Sequence, residues 1–250
     1  MLTDERRHRI LEHLQVQGRV LASDLVAEFG VSPDTVRRDL RDLDEAGMLR
    51  RVHGGALPRR GDTDPLPLRA RRAPEAKASI ARRAAQIVRD GEVVMLDGGT
   101  TTLEVARALP ERLTATVVTN SLPIALALAD HRSVEVVVVG GSLRARAGVT
   151  VGAAAVAALA AVRADVLFLG VCGLHPEIGV SVEDAEEREG KRAMIAGAAA
   201  VVGLADHDKL GTALPFVVAP LTELTTLVTD ATDDEVLAPY RALGVEVLQA

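Results

Sequence analysis

A chain of 250 residues, 48% of them hydrophobic, is long enough for one small and one medium domain with a sizeable core. Only 2% of the residues are aromatic and none is Trp, so that core has to be built from Ala, Val and Leu. The lone Cys172 excludes an internal disulfide and fits a reducing cytoplasm; no signal-peptide pattern or bilayer-length apolar run appears, so a cytoplasmic location and no membrane partner are expected.

The net charge of −6 argues against general polyanion binding until the chain is divided. Residues 1 to 74 carry 14 Arg and no Lys against 12 acidic groups, a balance of +2, and the remainder carries −8. A mildly basic head on an acidic body favours a local, specific contact with nucleic acid through the head.

Thr3 is placed to cap a first helix with Ile10, Leu11 and Leu14 on its apolar face, ending at Gly18. Val20 to Phe29 is expected as a second helix, apolar at Leu21, Leu25, Val26 and Phe29, with Ser23 available as a cap and Gly30 turning into the next element. There, Ser32 can accept a first-turn amide and Pro33 sits where its missing N–H is harmless. Val36, Leu40 and Leu43 then bury one stripe of a third helix, while Thr35, Arg37, Arg38 and Arg41 point away from it. Gly47 is expected to close this helix, Met48 to Val52 to run as a strand, Gly54-Gly55 to turn and Ala56-Leu57 to return, a hairpin carrying Arg50, Arg51 and His53. An amphipathic helix and hairpin with solvated arginines would read alike in isolation. The order of parts favours a winged helix-turn-helix that contacts double-stranded operator DNA through Ser32, Thr35, Arg37, Arg38, Arg41, Arg51, His53 and Gly54.

Residues 58 to 74, PRRGDTDPLPLRARRAP, hold four prolines and five arginines without helical or strand period and read as a semi-extended linker. Beyond them helices and strands alternate: helices at 75–89, 101–109, 122–129, 153–162 and 183–199, and strands at 92–97, 115–119, 134–139, 166–171, 200–205, 224–229 and 245–248. Apolar β runs separated by helices call for a mainly parallel, doubly wound sheet. The domain plan is thus an α+β winged helix-turn-helix head at 3–57, a linker at 58–74 and an α/β body at 75–250.

Ligands of such sheets bind beyond the carboxyl ends of the strands. Asp97, Gly98, Gly99, Thr100, Thr101 and Thr102 follow the first strand and open a helix, where glycines, free amides and hydroxyls suit a phosphate or other anion. They form neither a dinucleotide fingerprint nor a P-loop. Thr119-Asn120-Ser121 and Gly140-Gly141 follow later strands. In a chain with 26 Arg and three Lys, the lysines Lys191 and Lys209 fall near the same rim, where a compact ammonium would contact an anion; Lys77 is the third. Each of these stretches also reads as an ordinary turn or cap.

The run Val31-Ser32, Thr35-Val36-Arg37-Arg38-Asp39-Leu40, Leu43, Gly47 and Arg51-Val52-His53-Gly54-Gly55-Ala56 resembles the winged helix-turn-helix of the DeoR family of bacterial transcription regulators. Lys77 to Ala81, Leu96 to Thr101, Val118 to Ser121, Gly140-Gly141, Asp165, Phe168 to Gly170, Lys191 to Met194, Asp206 and Lys209 resemble that family's effector domain, similar in fold to ribose-5-phosphate isomerase and the coenzyme A transferases. The resemblance implies a repressor whose effector is a small phosphorylated sugar or related metabolite held at Gly98 to Thr102. In the family Lys209 commonly follows a serine, whereas Asp208 precedes it here.

No catalytic residue, cofactor or metal site is expected. Cys172 and His175 form no oriented triad, and Asp206-His207-Asp208 reads as a solvated turn. The rival reading is a sugar-phosphate isomerase or transferase carrying a DNA-binding head, with Glu183 or Glu186 as base, although Glu183, Asp184, Glu186 and Glu187 read more simply as an acidic first helical turn. A constitutive architectural protein with an inactive sensor is a third. Heads of this kind pair on half-sites, so a homo-oligomer, dimer or tetramer, is expected.

Overall fold

The computed structural model describes residues 3–17, 20–46, 48–52, 54–58 and 65–250. The chain divides into two compact units, Met1–Gly61 and Asp62–Ala250.

The first unit contains α1 (Thr3–Gln17), β1 (Val20–Leu21), α2 (Ala22–Phe29), α3 (Pro33–Glu45), β2 (Leu49–Val52) and β3 (Gly55–Pro58). Its core is formed by Ile10, Leu14, Val20, Leu25, Val36, Leu40, Leu43, Leu49 and Ala56. The second helix starts later than expected. Val20 and Leu21 are extended and pair antiparallel with Ala56 and Gly55, so they form a third strand of the wing. Leu21, not Ser23, is the N-cap; it provides no side-chain bond, the Ala22 amide donates to the Gly54 carbonyl, and the Ser23 hydroxyl donates to Asp24. This strand also explains Gly55. A Cβ there would sit 2.0 Å from the Val20 carbonyl oxygen, so the residue is needed for strand contact, and Gly54, at φ +85°, serves the turn. The expected stops at Gly18 and Gly47 lie outside the described residues.

The second unit contains α4 (Leu66–Ala70), α5 (Pro74–Ala85), β4 (Val93–Leu96), α6 (Thr100–Ala108), β5 (Ala115–Thr119), α7 (Leu122–Leu128), β6 (Val134–Val138), β7 (Ser142–Arg144), β8 (Val149–Val151) and α8 (Ala153–Ala160). It continues with β9 (Ala164–Gly170), β10 (Gly173–His175), β11 (Gly179–Val182), α9 (Ala185–Gly197), β12 (Ala198–Leu204), β13 (Phe216–Ala219), β14 (Thr226–Thr229), α10 (Asp234–Ala242) and β15 (Glu246–Gln249). Seven strands form one sheet in the order β15-β14-β12-β9-β4-β5-β6, and every pairing in it is parallel. Alternate residues of a strand face opposite ways, and both faces are covered here. Met95, Leu167 and Leu169 enter one core with Met194 and Tyr240, whereas Val94, Leu96, Val166 and Phe168 enter the other with Ile80 and Ile124. The fold is therefore the winged helix-turn-helix head and doubly wound α/β body that the alternation of elements implied. No helix among the described residues is long and apolar enough to cross a membrane.

Parts of the body differ from expectation, among them the unforeseen helix α10. Residues 65–74 are not an extended tether, because α4 forms and α5 begins at Pro74; residues 59–64 lie outside the described ones. The antiparallel hairpin β7–β8 and the small antiparallel sheet β10-β11-β13 were also absent from the sequence reading.

Candidate ligand cleft and nucleic-acid face

Chain order along the sheet reverses at β4. The chain proceeds from β4 outward to β5 and β6, then returns to β9 on the other side of β4. The loops after β4 and β9 therefore part at the switch point, where doubly wound sheets bind ligands. Three contiguous cavities lie there. The largest, about 470 Å³, is lined by Arg69, Arg144, Arg146, Cys172, Glu183 and Glu187 among others. A second lies over Gly98, Gly99, Thr100, Thr101, Lys191 and Lys209 and shares Arg69, Ala147, Cys172 and Glu187 with the first. The third brings in Asp97, Asn120, Thr150 and Glu186.

A buried ion pair forms the floor. Asp97 is 4% exposed and Lys191 3%. The Lys191 ammonium donates to the Asp97 carboxylate and to the Gly170 carbonyl at 2.8 Å, and the Asp97 Oδ2 accepts the Gly170 amide at 2.9 Å. These bonds tie the ends of β4 and β9 to α9. Burial disfavours the Lys191 ammonium, but Asp97 first, and Cys172 and Glu187 after it, offset this and raise its pKa above the usual lysine value. Two of its three protons are thus engaged within the protein. Its role as a free anchor for an outside anion is reduced accordingly.

The remaining sequence-assigned residues fall into two groups. Gly98 to Thr101 line the second cavity, with Gly99 as N-cap at φ +153°. Lys209 is paired with Asp206 at 3.3 Å and not with the preceding Asp208, which lies 3.3 Å from His207. Asn120 lines the third cavity; its Nδ2 donates to the Thr150 carbonyl, while its Oδ1 is buried without a hydrogen-bond partner among the described residues. Thr102, Thr119, Ser121, Gly140 and Gly141 line none of the three cavities. The hydroxyls of Thr102 and Thr119 donate to the carbonyls of Gly99 and Leu96, which engages their protons within the protein. Gly141 is exposed, and a Cβ on it would lie 2.7 Å from the Val151 carbonyl oxygen. Gly98 likewise has a packing reason, since a Cβ there would meet Val149 at 2.1 Å.

Sequence reasoning missed Arg69, Arg144, Arg146 and the importance of Glu187. Glu187 lines all three cavities. Burial raises its pKa, with Lys191 opposing, Asp97 adding, Arg69 opposing and Asp184 adding. Asp184 caps α9 by accepting the Glu186 and Glu187 amides, so Glu183 precedes the helix and does not belong to its first turn. Glu186 is exposed and salt-bridged to Arg144, which also approaches Asp184 at 3.8 Å. The turn at Asp206-His207-Asp208 keeps His207 and Asp208 exposed, as expected, while Asp206 is buried; the His207 amide and Nδ1 each bond Asp230 at 2.8 Å, and the side-chain bond raises the imidazole pKa.

In the head, Ser32 caps α3 as expected, accepting the Thr35 amide at 3.2 Å and exchanging a hydroxyl bond with Thr35 at 2.9 Å. Arg37, Arg38 and Arg41 are exposed along one face of α3, with Arg37 linked to Asp34 at 3.0 Å. Arg51 and Gly54 are exposed on the wing, and His53 lies outside the described residues. Behind this face Asp39, only 2% exposed, accepts Arg6 at 2.5 Å and Arg7 at 3.4 Å, and Arg7 also pairs with Asp42. Basic residues of α1 thus anchor α3.

A helix with an arginine-bearing outer face beside a short wing, carried on a chain with a polar cleft at a sheet switch point, defines a DNA-binding regulator with a sensor domain. Residues 6–58 match the DeoR-like helix-turn-helix domain and residues 72–231 the DeoR C terminal sensor domain, and the chain belongs to the DeoR family of transcription regulators. It is 37% identical over 236 residues to the HTH-type transcriptional regulator GlpR of Haloferax volcanii, covering 94% of this chain and 92% of that protein. It is 33% identical to the glycerol-3-phosphate regulon repressor of Escherichia coli K12, with 92% of each chain covered. Among solved structures, ribose 5-phosphate isomerase A of Methanocaldococcus jannaschii aligns with a TM-score of 0.40 at 19% identity over 54% of each chain.

Proposed function

We propose that the chain is a transcriptional repressor whose operator affinity is set by a small phosphorylated sugar or related metabolite bound in the cleft. The convergence of the α6 N-terminus at Gly99 to Thr101 with Arg69, Lys191 and Lys209, in a body of net charge −8, carries this reading. Free amides and cations gathered in an otherwise acidic unit suit a localised anion. The name of the E. coli relative, a glycerol-3-phosphate regulon repressor, points to the same ligand class. Ser32, Thr35, Arg37, Arg38, Arg41, Arg51, His53 and Gly54 are assigned to the operator. The chain acts as a binder and not as a catalyst on this reading, since Glu186 is exposed and engaged by Arg144 and the relatives are named as transcriptional regulators. A symmetric oligomer reads paired half-sites, and the open edge at β6, where Val137 and Val138 are exposed, offers a second copy an apolar surface.

Melting of the full chain against sugar phosphates and their unphosphorylated parents tests the ligand. At a hundredfold excess over its Kd, a phosphate ester is expected to raise the melting temperature of the sensor unit by about 5–10 °C, with no shift from the free sugar. A pH series sharpens the test. Glu187 has a raised pKa on folding, so its contribution to stability is present below its ordinary pKa and lost as pH rises through the folded value. The same deprotonation places a negative charge beside a bound anion. Affinity for sulfate, a probe of constant charge, is therefore expected to fall as pH rises through that value in the wild type, and to stay flat in Glu187→Gln. An equal slope in both proteins would remove Glu187 from the site.

A further inference from the structure

Helix α4 is the first element of the sensor unit that the chain reaches after the head. At five residues it is too short to persist by itself. Hydrogen bonds from neighbouring elements and the packing of Leu66 on the apolar core hold it in place. The Leu66 amide donates to the Arg146 carbonyl at 2.9 Å, in the turn between β7 and β8. The buried Lys77 ammonium, from α5, donates to the carbonyls of Arg69 and Arg72 at 2.6 Å each, tying the end of α4 as a C-terminal cation does. Among the five arginines of residues 58–74, Arg71 and Arg72 are exposed, whereas Arg69 is partly buried and lines both the largest cavity and the one over Gly98 to Thr101. Its guanidinium lies near enough to Glu187 to oppose the rise of that carboxyl's pKa.

We propose that Arg69 contacts the bound effector and that α4 is thereby the segment through which an occupied cleft acts on the stretch leading to the DNA-binding head. This rests on the reading that the cleft takes a phosphorylated metabolite. A guanidinium presents a planar pair of donors to a phosphate or carboxylate, so an anion held by Gly99 to Thr101 and Lys209 draws Arg69 toward itself. Switching requires the ligand to bind one arrangement of α4 more tightly than another. A five-residue helix at the edge of a domain has a smaller opening free energy than the sheet behind it, and a charge-assisted contact to ligand biases it toward one arrangement. Glu187 completes the exchange: it shares two of the cavities with Arg69, with Lys191, Asp97 and Asp184 as its other charged neighbours.

Hydrogen exchange on the full chain tests this, with glycerol 3-phosphate and inorganic phosphate as probes and binding followed by calorimetry. In the wild type, saturation is expected to slow exchange both at the amides of 98–102 and at those of Leu66 and 68–72. Arg69→Ala is expected to weaken binding about tenfold or more and, once resaturated, to keep protection at 98–102 while losing it at 66–72. Arg69→Lys, which keeps the charge, is expected to recover part of the affinity. Protection at 98–102 with unchanged exchange at 66–72 in the wild type, or an Arg69→Ala variant with wild-type affinity, would overturn the assignment and leave the ligand site standing. Absence of protection at 98–102 with both probes would overturn the underlying reading, and the assignment with it.

Discussion

Lys191→Ala is expected to lower the melting temperature of the sensor unit by about 6–20 °C, the equivalent of about 3–5 kcal/mol for a buried charge stripped of its partner. The substitution leaves the Asp97 carboxylate, 4% exposed, with the Gly170 amide as its donor across the ends of β4 and β9 and no cation in contact among the described residues. The same change removes the ammonium that ties α9 to the end of β9. Pairing it with Asp97→Asn is expected to recover part of the loss, because the cost lies in the orphaned charge more than in the missing contact. Lys209 provides the contrast. Its side chain is 19% exposed and lies 3.3 Å from Asp206, whose buried carboxylate also loses its partner on truncation. Lys209→Ala is therefore expected to alter ligand affinity and to lower melting as well, by less than Lys191→Ala because solvent reaches this pair through the lysine. Calorimetry of the three variants separates the roles. A Lys191→Ala protein that melts with the wild type would show that the pair carries no structural weight.

Asp39→Ala is expected to unfold the head while leaving the sensor unit intact. Asp39 is 2% exposed, and its oxygens take both Arg6, itself 7% exposed, and Arg7. Its loss leaves the Arg6 guanidinium buried without its carboxylate, at a cost of about 3–5 kcal/mol. That is comparable to the whole stability of a domain of this size, whose core holds nine buried apolar side chains among the described residues. Asp39 points away from the arginine-bearing face of α3, so operator binding would vanish through loss of fold and not through loss of a contact. Amide exchange resolved by segment decides this: fast exchange throughout α1 and α3 with unchanged protection in β4 and β9 is the expected pattern. Protected α1 and α3 amides in the variant would contradict it.

The parts that were legible in the sequence are those written as periodicity. The stripe of Val36, Leu40 and Leu43, the cap at Ser32 and the apolar β runs at Val94 to Leu96 and Val166 to Leu169 each follow from a repeat that burial imposes. Strands buried on both faces lack alternation, and their continuous apolar text still identified them. Short pieces stabilised from outside were not legible. β1 is two residues long and exists because β3 lies beside it; α4 exists because Arg146 and Lys77 hold its ends. α10 was missed because Pro239 sits inside it and only Leu237 and Tyr240 are buried.

The cleft divides along the same line. The loop at Gly98 to Thr101 announces itself by composition, glycines and hydroxyls at a strand–helix junction. Glu187 looked like any acid in a helical first turn, and Arg69 like one of five arginines in a tether, because what distinguishes them is the elements packed against them. Lysine scarcity led to the cleft, where Lys191 and Lys209 both line the cavity over Gly98 to Thr101, and each lysine also has a partner within the protein. Lys77 and Lys191 are buried ammonium posts bonded to carbonyls, and Lys209 is paired with a buried carboxylate. In each case a compact ammonium with rotatable donors meets its oxygen partners.

The central claim is that ligand in the cleft changes affinity for DNA, and titration of the full chain onto duplex DNA tests it most directly. Operator is first selected by the protein from random-sequence duplexes, then bound in the presence and absence of the phosphate ester that raises the melting temperature, at fixed salt. The account predicts a selected sequence and a change in its Kd of about 5–150-fold on adding the ester, with no change for the unphosphorylated parent. A selected operator bound equally well with and without every ester that binds the cleft would contradict it.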